Sequence, residues 1–354
     1  MNDPPQPELP DDTEGTPRSN AGPPAEPEGE TPDSVRRDAS DGYTAAGMAA
    51  PVIARPIEEA PAARTPEAAG PPIALRPPAV WPAIVVVFGG LALGIVAQVT
   101  VIAAIDVASG PETAGLAAFG ESPIGFITLS LTMEGAFALV AVLAAVASVI
   151  PARRQLGLTR AGVPAWGYAA LLLGAIMCAA VGEGLSILVP LEMIDVEGLR
   201  ARMTWTDGAL FVVCLAIVPG FVEELLFRGY VQRRLLQRWR PGPAIAVSTL
   251  LFALMHIDPK HMVFAAALGL WLGVVAWRTG SIWPGVFCHA GVNALWNIYA
   301  LSMMKLEPPE HVVYVSFAIF LGSALVGFVV SIGLLAKTKR PPTVWHGSPG
   351  TPPA

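Results

Sequence analysis

Long apolar runs, separated by short polar or glycine- and proline-bearing stretches, recur between residues 81 and 335. A membrane-spanning helix needs about 20 largely apolar residues. Eight segments approach or meet that length: 81–105, 124–150, 164–189, 209–224 with a basic continuation, 244–257, 262–277, 282–303 and 312–335. The fifth and sixth are short. Trp81, Trp166, Trp239, Trp277 and Trp283 fall near segment ends, where amphipathic rings favour the membrane interface. The pattern predicts an all-α polytopic membrane protein of about eight transmembrane helices. Its parts are N-terminal spans over 79–150, a core over 151–303 and a last span over 304–337.

Composition agrees with that reading. The chain of 354 residues is 53% hydrophobic and 14% charged, with mean hydropathy +0.55, whereas soluble domains carry about 25% charged residues. Charge is unevenly spread. Residues 1–78 hold fourteen acidic and six basic side chains, so the formal −6 of the whole leaves +2 on the remainder. That first segment is rich in Pro, Ala and acidic residues, with Tyr43 as its one aromatic. It cannot bury enough apolar surface to offset its ordering entropy. A disordered tail is expected there, either inert or partner-binding, and another over 338–354. Without a basic start and an apolar core, the first tail is not expected to be a signal peptide. The three cysteines, Cys178, Cys214 and Cys288, sit in apolar runs and suggest no disulfide framework.

Basic residues test the span count. With the N-terminus inside, loops after even-numbered spans hold twelve Lys and Arg, including Arg153, Arg154, Arg233, Arg234 and Arg278. The opposite loops hold four: Arg200, Arg202, Lys260 and Lys305. This asymmetry fits the positive-inside rule. The expected location is the cytoplasmic membrane, multi-pass, with both termini cytoplasmic, the lipid bilayer as partner and no nucleic acid.

Polar side chains gather in the later spans. Glu223 and Glu224 end the fourth, His256 ends the fifth, and His289 and Asn293 lie in the seventh. Intramembrane charges are expensive and mark function by default. Glu224 and Arg228 are four apart and pair across one helical turn, leaving Glu223, about 100° round an ideal helix, free for chemistry. Asn293 follows His289 by four and shares its face. Arg240-Pro241-Gly242-Pro243 should be a turn. Measured from it, Glu223 and His256 stand level, at about 24 Å. His289, by contrast, stands only about 12 Å beyond the Thr279-Gly280-Ser281 turn. These depths match if the arm 228–240 protrudes into the cytoplasm, with the site opening to that side. Pro219-Gly220 should kink the fourth span. Gly269 and Gly273 form a small-residue packing face, and Ser281 and Pro284 suit the start of the seventh span. Glu134 and Glu183, also intramembrane, are left without assigned partners, and His261, His311 and His346 without a role.

Glu and His beside a water can act as general base and polarising partner, while His and Asn suit a developing oxyanion. Glu223, His256 and His289 would alternatively make a zinc set with an open position. No His-Glu-x-x-His sequence is present. Cys288 neighbours His289, but adjacent helical residues diverge by about 100°, which argues against a thiol nucleophile.

The motifs Glu223-Glu224-Leu225-Leu226-Phe227-Arg228, Phe252-Ala253-Leu254-Met255-His256 and His289-Ala290-Gly291-Val292-Asn293 resemble those of the CPBP family. This family of intramembrane proteases (CAAX protease and bacteriocin-processing, or Abi) includes the CAAX prenyl endopeptidase. The resemblance extends over about 150–303, including Arg154-Gln155-Leu156-Gly157-Leu158 and the Gly269, Gly273 and Thr279-Gly280-Ser281 pattern. It implies an endopeptidase in which Glu223 and His256 activate water and His289 and Asn293 form the oxyanion hole. Glu224 and Arg228 would orient the site. The family has been described both as zinc-dependent and as metal-independent; the metal-independent form is the expectation here. The implied substrate is a membrane-associated protein or peptide. The rival readings are a non-catalytic scaffold or bacteriocin self-immunity protein that kept the fold, and a transporter.

Overall fold

The computed structural model describes residues 79–109, 119, 122–191 and 196–338. The expected tails, 1–78 and all but Thr338 of 338–354, lie outside the described residues, as do Lys339, Arg340 and His346. Among the described residues the regular structure is helical: α1 Trp81–Ser109, α2 Pro123–Val146, α3 Ala165–Ser186, a short α4 Val196–Ala201, α5 Trp205–Leu236, α6 Pro241–Leu254, α7 Pro259–Thr279, α8 Trp283–Leu306 and α9 Glu310–Lys337. A single turn, Ala152–Gln155, precedes α3.

The eight expected spans correspond to α1, α2, α3 and α5 to α9. Six of them are long and apolar enough to cross a bilayer. The other two fall short for different reasons. At 14 residues, α6 is too short. Though α8 runs for 24 residues, His289, Asn293 and Asn297 lower its hydropathy. Both deficient helices carry residues of the predicted site. Two apolar clusters flank them. One joins Phe137 and Ala141 of α2 to Leu225, Leu226 and Phe227 of α5 and Phe252 of α6. The other joins Leu171 of α3, Leu272 of α7, Cys288 of α8 and Ala324 of α9. Only 17% of the α1 apolar window and 22% of the α9 window are buried, against 50% in α5 and α7. The outer helices are therefore the ones whose apolar surface needs lipid.

α5 is not a uniform helix. Pro219 lacks the N–H that would reach back one turn, and the preceding stretch, Val213–Ile217, widens into a π-helix. Regular geometry returns over Val218–Glu223, and a second π segment runs from Glu224 to Val231. Such wide turns are common at functional sites. A Cβ on Gly220 would lie 2.7 Å from the Ala290 backbone nitrogen, so α5 and α8 meet backbone to backbone one residue from His289.

The depth conflict in the sequence is resolved by where Arg233 stands. Arg228 does not protrude; it is 1% exposed. Arg233 stands level with the Gly280 turn, donating to the Arg154 carbonyl at 3.2 Å and to the Gly280 carbonyl. Thr159 donates to Gly280 and Ser281 to Thr159, and the Ile282 amide donates to Gly157. Ser281 therefore ties two loops together, its hydroxyl also receiving the Trp283 amide. From this level, Glu223 stands ten residues along α5, about 15 Å, and His289 stands nine beyond Gly280, about 13 Å. The arm after Arg233 remains packed against the bundle through Leu235, Leu236 and Trp239.

Replacing Arg233 with Ala removes a charged donor shared by two loop carbonyls. The expected loss is about 2 kcal/mol, read as a lower unfolding midpoint of the detergent-solubilised protein, while Arg238→Ala, in the exposed turn after α5, leaves the midpoint unchanged.

Candidate active site

The wide π turn of α5 carries Glu224 and Arg228 into the protein interior, 0% and 1% exposed, where Arg228 Nη1 lies 2.7 Å from Glu224 Oε1. Two charges removed from water need close pairing and further hydrogen bonds. Arg228 Nη2 donates to the Gly269 carbonyl at 3.0 Å, and one turn later Gln232 Nε2 donates to the Gly273 carbonyl at 2.9 Å. The glycine face of α7 thus does more than allow close packing; it lets side chains of α5 reach carbonyls in mid-helix. On the other flank a Cβ at Gly285 would stand 2.6 Å from Glu224 Oε2, so α8 must present a glycine there.

Phe252 of α6 lies beneath this pair. The Arg228 guanidinium is 4.2 Å from its ring centroid, a cation–π distance. The rings of Phe227, His256 and His289 meet it edge-on at 5.2, 4.9 and 5.7 Å. His256 Nδ1 lies 2.9 Å from the Phe252 carbonyl. A carbonyl only accepts, so Nδ1 carries the hydrogen and Nε2 is left as an acceptor. The chain then turns sharply through Ile257, at φ 61°, and Asp258 caps α7 by accepting from the His261 amide at 3.0 Å. This turn stacks the exposed His261 ring on His256, 4.9 Å apart with planes 20° from parallel.

α8 completes the cluster. His289 is 3% exposed, its Nδ1 3.2 Å from Glu224 Oε1 and its Nε2 3.6 Å from Glu223 Oε2. Glu223 is 13% exposed, more open than its neighbour. From α2, Glu134 brings a 7% exposed carboxyl into hydrogen-bond contact with Glu223. Asn293 is half-buried one turn beyond His289. Asn297 follows, donating to the Asn293 carbonyl and accepting from Arg200 Nη2, both at 2.8 Å. This polar row runs away from the arginine-rich end of the bundle, and His261 lies on the same far side. Phe252, Arg228 and Gly285 pack around Glu224 and His289.

Among the sequence-derived candidates, the structure gathers Glu223, Glu224, Arg228, His256 and His289 around Phe252, with Asn293 at the edge. Cys288 packs into the α3–α7–α9 core. Glu183 lies in the field of Arg200, a charge partner that the sequence did not reveal. His311 is exposed at the start of α9. Two members were missed. Glu134 was visible as a lone acid in an apolar run, but its partner is 89 residues away. His261 was visible only as the third residue after an Asp-Pro helix start. Among the described residues, no group of three His, Cys, Asp or Glu side chains is arranged to hold a metal ion. The Nδ1 atoms of His256 and His289 are engaged by the Phe252 carbonyl and by Glu224, so each ring is left with its Nε2 atom for chemistry.

Arg228→Ala would leave Glu224 buried without its counter-ion, at an expected loss of about 3–5 kcal/mol. The double substitution Glu224→Gln with Arg228→Met removes both charges and keeps an oxygen for His289. Most of the lost stability should return, as measured by thermal unfolding.

Comparison with known proteins places similarity over this same region. Residues 205–295 match the family described as type II CAAX prenyl endopeptidase Rce1-like. A curated relative, the "Putative membrane peptidase YdiL" of Bacillus subtilis (strain 168), is 28% identical over 99 residues, covering 28% of this chain. The matched stretch spans 38% of that relative's length. No solved structure matches.

Proposed function

We propose, from an Rce1-like domain of the CAAX protease (CPBP) family at residues 205–295, that this chain is an intramembrane endopeptidase of the glutamate type. The observation that carries the proposal is the convergence of Glu223, His256 and His289 from three helices on the cluster around Phe252. In this reading a water lies between Glu223 and His256. Glu223 takes one of its protons as the oxygen attacks the substrate carbonyl carbon, and the carbonyl electron pair moves onto oxygen. The Asn293 amide and His289 Nε2 face that oxyanion. Because His289 Nδ1 gives its hydrogen to Glu224, Nε2 donates only in the doubly protonated ring. When the tetrahedral species collapses, the C–N bond breaks and Glu223 passes its proton to the leaving nitrogen.

Glu224, Arg228 and Phe252 position the imidazoles and do not touch substrate in this scheme. The chemistry needs no metal, and no step is routed through one. The substrate class is a membrane-associated protein or peptide, and a CAAX-type prenylated peptide is one candidate by the family's description. With the arginine-rich end cytoplasmic, water reaches Glu223 from the far half of the bilayer, past Asn297 and His261.

The test is cleavage of a membrane-peptide library by the purified full chain. Glu223→Gln and His256→Ala should each lower turnover by at least about 100-fold, with stability retained and the wild type insensitive to chelator. Cleavage that persists in both variants would remove these residues from the mechanism. Loss in chelator with recovery in zinc would overturn the metal-free reading, and no cleavage by the wild type would favour a scaffold or immunity protein. Access is read separately, in spheroplasts, with Asn297→Cys in a chain whose three native cysteines are replaced by Ala. A membrane-impermeant thiol reagent added outside should label it; labelling only from the cytoplasmic side would reverse the assigned opening.

A further inference from the structure

Glu134 is a buried acid that the scheme above does not use. It lies on α2, outside the region of family similarity, and its helix packs along α5 through Ile127, Phe137 and Ala141. It could have been isolated in that apolar face, yet it is in hydrogen-bond contact with Glu223. Its second oxygen, Oε2, is buried and has no hydrogen-bond partner. An ionised carboxylate only accepts hydrogen bonds, so contact between two carboxyl groups requires a hydrogen on one of them. The other charged or titratable groups around Glu223 are Glu224 and Arg228 on α5, His289 on α8 and His261 on α7. Arg228 is committed to Glu224, which leaves no permanent cation for a second bare carboxylate beside Glu223.

We propose that Glu134 and Glu223 form a two-carboxyl unit sharing one proton, with Glu134 as the positioning residue that donates to Glu223 and fixes which of its oxygens faces the water. Aspartic proteases use two carboxyls in this way on unrelated folds. In the attack step, one Glu223 oxygen keeps the hydrogen bond from Glu134 while the other receives the proton leaving water. The pair then holds two protons and no net charge. One of them moves to the leaving nitrogen as the C–N bond breaks, which restores the starting state. Left without a donor, the buried Oε2 of Glu134 costs less as the carbonyl oxygen of a protonated group than as half of a carboxylate.

The proposal deepens the endopeptidase reading, and its test has one readout that does not depend on cleavage. In infrared spectra of the full chain in lipid nanodiscs, the wild type should show a protonated-carboxyl C=O stretch that shifts in D2O, is absent from Glu134→Gln and moves in frequency in Glu223→Gln, where its hydrogen-bond acceptor is changed. If that band persists in Glu134→Gln, or is missing from the wild type, the shared proton is refuted. The second readout uses the same membrane-peptide library. Glu134→Gln keeps an N–H donor in the same place and should retain kcat within about threefold, whereas Glu134→Leu should lose at least about 100-fold with KM little changed. Equal losses in the two variants, or no loss in either, would overturn the positioning role. Thermal unfolding identifies a Leu variant that is merely misfolded, and Glu134→Ala then takes its place. If the wild type cleaves nothing, the endopeptidase reading fails while the infrared result still decides the pair.

Discussion

A buried Glu224–Arg228 ion pair in the apolar interior is the interaction on which the rest of the centre depends. Arg228 has no exposed surface to retreat to, so everything around it is shaped to satisfy a guanidinium. The wide turn of α5 aims it inward, the Gly269 carbonyl accepts from it, and the Phe252 ring lies across its face. Each of those partners belongs to a different helix. Holding one cation thereby fixes α5, α6 and α7 against one another, and Glu224 extends the same constraint to α8 through His289.

Phe252 converts that constraint into orientation. A planar ring takes a cation over its electron-rich face and favours T-shaped packing with neighbouring rings, so Arg228 and the two imidazoles are all held around one side chain. Its own carbonyl holds the His256 Nδ1 hydrogen, presenting Nε2 outward. The motif Phe-x-x-x-His therefore reads as a spacing rule. One helical turn brings the imidazole back over the carbonyl and ring of the residue that sets its tautomer. The same rule operates between Arg228 and Gln232 on α5 and the Gly269 and Gly273 carbonyls on α7, two pairs each one turn apart.

The membrane gives the arrangement its second constraint. α6 is too short to span and α8 too polar, yet both lie within a bundle whose outer helices face lipid. Polar side chains are tolerated there because they satisfy one another, and the backbone freed near Pro219 is held against protein. The arginine-rich end is sewn together by Arg233, Thr159 and Ser281. The polar row through Asn293 and Asn297 runs from His289 toward Arg200.

Most of the architecture was legible in the chain because span length, charge asymmetry and turn chemistry are local properties. The apolar helices, the i, i+4 partnership of Glu224 with Arg228 and the shared face of His289 and Asn293 follow from spacing alone. Depth was not legible: counting from Arg240 placed Glu223 and His289 at different levels, because no local signal says that the Gly280 turn stands level with Arg233 rather than with the proline turn. Nor could sequence pair Glu134 with Glu223 or Glu183 with Arg200, or lay His261 on His256. Those contacts depend on helix rotation and tilt, which are set by packing among all the spans. The sequence determined which side chains were available for chemistry inside the membrane, and tertiary packing decided which of them touch.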